Sequence, residues 1–199
     1  MTIGIIGSGN IGSAVAKTLA RAGIEATIAN SRGPDSLRDL VKELGPLIKA
    51  GTREEAAKAD IVIVAVNWTK IPAALAGLPE WKNRIVIDAN NPIEAPLFKP
   101  VDLKGRASSE VFADFVPGAR VVKAFNHLLA AVLAGDSAAE GGKRVLLYSG
   151  DDARAKAEIG ALIDKLGFFG IDLGALAVGA RLVQFPGGPL AVHNLVKFG

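Results

Sequence analysis

Cysteine is missing from this 199-residue chain. Its absence excludes disulfides, thiolate metal sites and cysteine nucleophiles. Histidine occurs only twice, at His127 and His193. No apolar run reaches the roughly 18 residues that a membrane span needs, so no membrane partner is expected. An apolar strand begins almost at the first residue, which leaves no room for a signal peptide and makes a cytoplasmic location the default expectation. A strong excess of one charge is lacking too. The formal net charge is +3, the basic residues are scattered, and no basic–aromatic patch points to nucleic acid. Half of the residues are hydrophobic, mostly Ala, Val, Ile and Leu. That composition suits an α/β fold, a mainly parallel sheet with helices on both faces. The length suits one domain over residues 1–199.

The stretch from Thr2 to Gly12 reads as a buried strand, a tight glycine turn and a helix entry. Gly7, Gly9 and Gly12 form G-x-G-x-x-G, the dinucleotide-binding fingerprint. Gly7 turns the chain out of the strand, Gly9 lets a pyrophosphate approach the backbone, and Gly12 lets the helix pack close to the sheet. The free N–H groups and positive dipole end of that helix face the phosphates. Ile11, Val15 and Leu19 share one helix face, and Gly23 stands where a C-cap glycine belongs. The loop residues Gly7, Ser8, Gly9, Asn10 and Ile11 are therefore expected to bind the cofactor.

A second strand, Glu25–Ala29, leads into Asn30-Ser31-Arg32-Gly33-Pro34. NAD-binding domains carry an Asp or Glu here, about 20 residues after the glycines, for the ribose hydroxyls. Asn30 and Ser31 are not acidic. A carboxylate would repel a 2′-phosphate, whereas Ser31 can donate to it and Arg32 can fork onto it. NADP(H) is expected over NAD(H), with Asn30, Ser31, Arg32 and Ser36 in its site and Arg38 adding charge. The competing reading is a polar turn before a helix capped by Asp35 or Ser36.

The β-branched run Ile61–Val66 reads as a central parallel strand, and ligands of open parallel sheets bind outside strand carboxyl ends. This places Ala65, Val66 and Asn67 at the cofactor. Trp68 either walls the nicotinamide or packs under the next helix. The strand Arg84–Ala89 likewise delivers Asn90 to the cofactor and Pro92 to the substrate. Glu94–Arg106 lacks periodicity and is expected to be a loop over the site. The strand Ala119–Phe125 brings Ala124 to the cofactor and Asn126 and His127 to the substrate. His127 is the one place for a general acid or base, although a helix-start residue with no proton role is favoured. Asp151 and Asp152 precede the helix Ala153–Leu166. They read as its N-cap and not as a metal site, since no other carboxylate or histidine clusters with them, and no metal is expected. After the last strand, Phe168–Leu173, and an apolar helical stretch, Phe185–Pro189 breaks the chain. Leu190–Phe198 is expected to be a final helix that holds His193 in a structural role.

Taken together, these residues resemble the NADP-dependent coenzyme F420 oxidoreductases, small Rossmann-like, doubly wound proteins that are also similar to the reductase domain of the transmembrane metalloreductases. The likeness rests on Gly7–Gly12, Asn30-Ser31-Arg32, Asn67-Trp68, Lys123-Ala124-Phe125-Asn126, Gly150-Asp151-Asp152 and Arg181-Leu182-Val183. It implies NADP(H) held by Ser8, Gly9, Asn10, Ile11, Ser31 and Arg32. It also implies a flat acceptor ring, coenzyme F420 or a flavin, stacked on the nicotinamide near Trp68, Asn126, His127 and the C-terminal segment. The part from about residue 120 onward would complete the acceptor site. A homodimer is suggested, with the apolar C-terminal segment reaching a neighbour's site. Hydride transfer between stacked rings needs proximity and alignment more than a positioned acid or base. Two alternatives stand beside this reading: a reductase of a small carbonyl or imine with His127 as proton donor, and a non-catalytic NADPH-binding redox sensor.

Overall fold

The computed structural model describes residues 1–94 and 97–199. Its first half alternates strand and helix: β1 (Ile3–Ile6), α1 (Asn10–Arg21), β2 (Ala26–Ala29), α2 (Arg38–Leu44), β3 (Ile48–Ala50), α3 (Arg53–Ala56), β4 (Ile61–Val64), α4 (Ile71–Leu75) and β5 (Ile85–Asp88). A small hairpin follows, β6 (Ile93–Glu94) and β7 (Lys99–Pro100). Then come α5 (Ser108–Ala113), β8 (Arg120–Lys123), α6 (Ala130–Leu133), β9 (Ala138–Ala139), β10 (Gly142–Gly150), α7 (Ala153–Lys165), β11 (Phe169–Asp172), α8 (Leu176–Val183) and β12 (Val196–Lys197).

The main sheet has the order β11-β10-β8-β5-β4-β1-β2-β3. From β3 to β8 every pairing is parallel, in the doubly wound arrangement expected from the alternating pattern. β10 then joins β8 antiparallel and carries β11 parallel beyond it. Alternation along the central strands sorts the core into two layers. Ile5, Ile63 and Ile87 meet Val15, Leu19 and Ile159 on one face. Ile6, Val64 and Val86 meet Ile71, Phe112 and Leu176 on the other. Each fully buried aliphatic side chain contributes about 1.5–3 kcal/mol against the entropy of ordering the chain.

Asp152 caps α7 as expected, its Oδ1 accepting from the Ala155 N–H at 2.7 Å. Asp151 has a separate task, accepting from the Leu176 N–H at 2.9 Å at the start of α8. Among the described residues no His, Cys, Asp or Glu cluster could hold a metal ion, and no helix is long and apolar enough to cross a membrane.

Three local expectations are corrected. Neither Asp35 nor Ser36 caps a helix: Pro34–Leu37 is a 3-10 turn whose N-cap is Gly33, and α2 starts behind Leu37 without a side-chain cap. The loop expected between Glu94 and Arg106 contains the β7 strand of the hairpin, although residues 95 and 96 lie outside the described residues. Leu190–Phe198 is not a helix. Its backbone groups are taken by distant partners: Val192 N–H donates to His127 O at 2.8 Å, Leu195 O accepts from Val145 N–H at 2.9 Å, and β12 pairs antiparallel with β10. Val192 itself has a φ of 60°, which breaks any helix there. His193 therefore sits exposed in an irregular stretch between a turn and β12, and not on a helix.

Candidate cofactor and acceptor site

Two of the three glycines in the turn have a steric reason within the fold. A side-chain carbon on Gly7 would lie 2.1 Å from Ala65 O, and Gly7 has a φ of +114°. One on Gly12 would lie 1.9 Å from Gly7 O, so only glycine lets α1 start this close to β1. Gly9 is different: nothing stands within 4 Å of its would-be side chain. The space in front of Gly9 is open, and its only evident use is the close approach of a ligand. Gly9 is also the N-cap of α1, with no side chain capping the helix, so the first amides remain available to an anion.

A cavity of about 580 Å³ opens here, at the carboxyl ends of β1, β2, β4 and β5. It receives Gly7, Ser8, Gly9, Asn10 and Ile11 from the turn, Asn30, Ser31 and Arg32 from β2, Ala65, Val66, Asn67 and Trp68 from β4, and Asn90 from β5. These are residues expected from the sequence, now gathered along one wall. Asn30 organises the β2 side. Its Oδ1 accepts from the Arg32 N–H at 2.9 Å, and its Nδ2 reaches Ser8 Oγ at 3.2 Å and Ser36 Oγ at 3.0 Å. Ser36 is thus a brace for Asn30, outside the cavity lining. Arg38 is tied to Asp35 at 2.6 Å and does not line the cavity, whereas Arg32 is exposed and has no ion-pair partner among the described residues.

Ala124, Pro92, Asn126 and His127 do not line the cavity. Ala124 is fully buried behind it. Asn126 instead donates through Nδ2 to Asn91 Oδ1 at 2.9 Å and to Val183 O at 2.8 Å. His127 is 1% exposed, its Nδ1 has no partner, and burial pushes its pKa down to about 4. The imidazole is therefore neutral near pH 7. It does not start a helix: α6 begins at Ala130, capped by Leu129.

Sequence reasoning missed several residues that shape the site. Asn91 lines the cavity and its Oδ1 also accepts from the Phe185 N–H at 3.0 Å, which fastens the C-terminal segment to the end of β5. Arg53, Lys70, Ile93 and Phe98 line the cavity as well. Beneath it, Lys123 and Asp88 form a fully buried ion pair that positions Asn90. Asp88 Oδ1 accepts from Asn90 N and Nδ2 at 3.0 and 2.7 Å, and Lys123 Nζ donates to Asn90 O. Asn90 Oδ1 in turn accepts from the Val66 N–H at 2.8 Å, locking the ends of β4 and β5 together. Burial lowers the Lys123 pKa, opposed by the neighbouring Asp88 charge. The available signal was a charged residue closing each of two strands, Asp88 after Ile85–Ile87 and Lys123 after Val121 and Val122.

The arrangement offers an open glycine turn, an uncapped helix start and unpaired cations, which together fit a phosphate-rich dinucleotide. Comparison with known proteins agrees. Residues 2–92 match the family model described as NADP oxidoreductase, coenzyme F420-dependent. A hypothetical protein from Sinorhizobium meliloti is 47% identical, superposes with a TM-score of 0.93, and covers 99% of this chain and 96% of its own. An Arthrobacter protein assigned as an F420-dependent NADP reductase is 28% identical with a TM-score of 0.68, over 88% of this chain and 86% of its own. The rat metalloreductase STEAP3 is 27% identical over 185 residues, which is 92% of this chain but only 36% of the rat protein. The chain thus spans about a third of that curated relative. The family match covers the part of the chain that holds the dinucleotide turn and the end of β2, and there the chain is similar to the F420-dependent NADP oxidoreductases.

Proposed function

We propose that this protein moves a hydride between NADPH and a flat conjugated ring of the deazaflavin or flavin class. The observation that carries the reading is the chemistry of the cavity wall. Among the described residues it presents cations, amides, hydroxyls and apolar groups, and no carboxylate, imidazole or phenol. The absence of a carboxylate at the end of β2 favours a 2′-phosphate, with Ser31 and Arg32 as its partners. The absence of an imidazole or carboxyl group favours ring-to-ring transfer, where the hydride step needs no positioned acid and the reduced ring takes its proton from water.

Bound NADPH would supply the hydride. The chain's own residues bind and orient. The amides after Gly9 would hold the pyrophosphate, and Asn90, held by Asp88 and Lys123, fixes the β4 and β5 ends, where the nicotinamide would bind. Trp68, 8% exposed, packs in the core with Ile71 and Leu75 of α4 and also lines the cavity. The C-terminal part is joined to the cavity edge through Asn91, which accepts from Asn126 and Phe185, and lines the cavity with none of its own described residues. The position of His127 off the cavity and its lowered pKa weigh against a carbonyl or imine reductase that uses it as proton donor.

The test is NADPH oxidation, followed by nicotinamide absorbance, against F420, FMN, FAD, riboflavin and ferric chelates, with NADH as control. Rapid NADPH-specific reduction of a ring acceptor is expected. Tight NADPH binding without turnover of any ring would overturn the hydride-transfer reading and leave the redox sensor.

A further inference from the structure

Three basic side chains line the cavity: Arg32, Arg53 and Lys70. Arg53 is occupied within the fold. Its Nη1 donates to Ala73 O at 2.8 Å and to Ala74 O at 3.0 Å, and its Nη2 stands 3.5 Å from Glu54 Oε1. Arg32 is assigned above to the 2′-phosphate. Lys70 is exposed and, among the described residues, has neither a carboxylate within ion-pair distance nor a side-chain hydrogen bond. Its position in the cavity is not explained by the fold.

The local geometry says which part of the cavity it serves. Lys70 immediately precedes α4, and Lys70, Ala73 and Ala74 stand three and four residues apart, all lining the cavity. That spacing puts them on one helix face. Arg53 fastens this face to α3, and α3 packs on β1, where Ala56 O lies under Gly4, and on β2. The three cations come from the end of β2, from α3 and from the start of α4, with the amides Asn30 and Asn67 among them, whereas the end of β5 presents the amides Asn90 and Asn91 and no cation. A cavity whose cations all lie away from the β5 end fits a ligand whose extra anionic charge lies at one end. In a dinucleotide built on the α1 turn, that end is the adenosine.

We propose that Lys70 is the second cation of a 2′-phosphate pocket, closing on the adenosine 2′-phosphate from the α4 side while Arg32 holds it from β2. The proposal rests on the NADP reading above. A phosphate monoester carries close to two charges and three acceptor oxygens, more than one guanidinium neutralises. Lysine suits the second position because its ammonium is a point charge on a long flexible stem. Without the 2′-phosphate, Arg32 and Lys70 only repel each other, so the pair discriminates against NADH as well as favouring NADPH.

The test is the dissociation constant, read by fluorescence, of wild type and Lys70→Gln for NADPH, NADH, adenosine 2′,5′-bisphosphate and AMP. Lys70→Gln is expected to weaken NADPH and the bisphosphate about tenfold. It should leave NADH and AMP within about twofold and leave thermal stability unchanged, as for an exposed residue without partners. Lys70→Arg should restore most of the loss. Equal weakening of NADPH and NADH would move Lys70 to the pyrophosphate, and no weakening would move it to solvent. Either result overturns the assignment and leaves NADP binding standing. A wild type that binds NADPH no tighter than NADH would overturn the NADP reading and this proposal with it.

Discussion

Lys123 Nζ lies 3.0 Å from Asp88 Oδ2, with both side chains sealed from solvent. The two residues are direct neighbours in the β5–β8 register, at the ends of their strands. Ser109 Oγ donates to the same carboxylate oxygen at 2.7 Å, and Asn90 occupies the other one. Removing one partner leaves an uncompensated buried charge, which costs about 3–5 kcal/mol. Lys123→Met is therefore expected to lower unfolding free energy by that amount, measured in urea. Lys123→Met combined with Asp88→Asn should recover a large share, because the asparagine Oδ1 still accepts from Ser109 or Asn90. A loss within about 1 kcal/mol for the single variant would show that the pair contributes little.

The same pair marks where sequence reasoning stops. The strand–glycine–helix unit of residues 2–21 was legible because each step is local: an apolar run, a turn that only glycine permits, and a 3.6-residue stripe. The N-cap Asp152 was legible for the same reason. Asp88 and Lys123 are 35 residues apart and meet only because β8 is laid beside β5. Lys70 and Arg53 likewise reach the cavity through the packing of α3 and α4, which no spacing encodes. The C-terminal stretch misled in the opposite direction: its apolar spacing suits a helix, yet β10 and His127 take its backbone hydrogen bonds. Tertiary pairing overrides local preference there.

His127 makes stability depend on pH. Its pKa falls from 6.5 to about 4 on folding, because burial disfavours the charged ring. Between these values the unfolded chain binds a proton that the native protein does not. Stability is therefore complete above the unfolded pKa and declines as pH falls toward 4, by up to about 3 kcal/mol. His127→Gln should flatten this slope in urea titrations and keep NADPH turnover near wild type. An unchanged slope would put the acid sensitivity elsewhere, and lost turnover with intact NADPH affinity would return a proton role to His127.

Arg32 offers a test of cofactor choice that does not depend on the acceptor. Its guanidinium is exposed, and its backbone N–H is held by Asn30 Oδ1 at 2.9 Å. Arg32→Ala removes the charge without disturbing that turn. NADPH binding is expected to weaken about tenfold or more, and NADH binding to change little. Equal losses would take Arg32 off the 2′-phosphate. Asn30→Ala should behave differently, since it releases Ser8, Ser36 and the Arg32 backbone together, and both nucleotides should suffer.

Gly9 and Gly12 belong to one motif but should fail in different ways. An alanine at 12 places a methyl group 1.9 Å from Gly7 O, a backbone atom that cannot move without shifting β1 against α1. Gly12→Ala is expected to lower thermal stability measurably even without ligand, by about 1–3 kcal/mol as for overpacking in a dense core. An alanine at 9 meets nothing within 4 Å, and Gly9 has a φ of −74° that alanine adopts freely. Gly9→Ala should therefore fold with wild-type stability, or slightly more, since alanine has less freedom to lose in the unfolded chain. Its methyl group occupies the space into which a pyrophosphate would come, so nucleotide affinity should fall for NADPH and NADH alike. Melting curves with and without nucleotide separate the two variants. If Gly9→Ala kept full nucleotide affinity, the open space before Gly9 would not be the phosphate site, and the cofactor would have to approach α1 from another side.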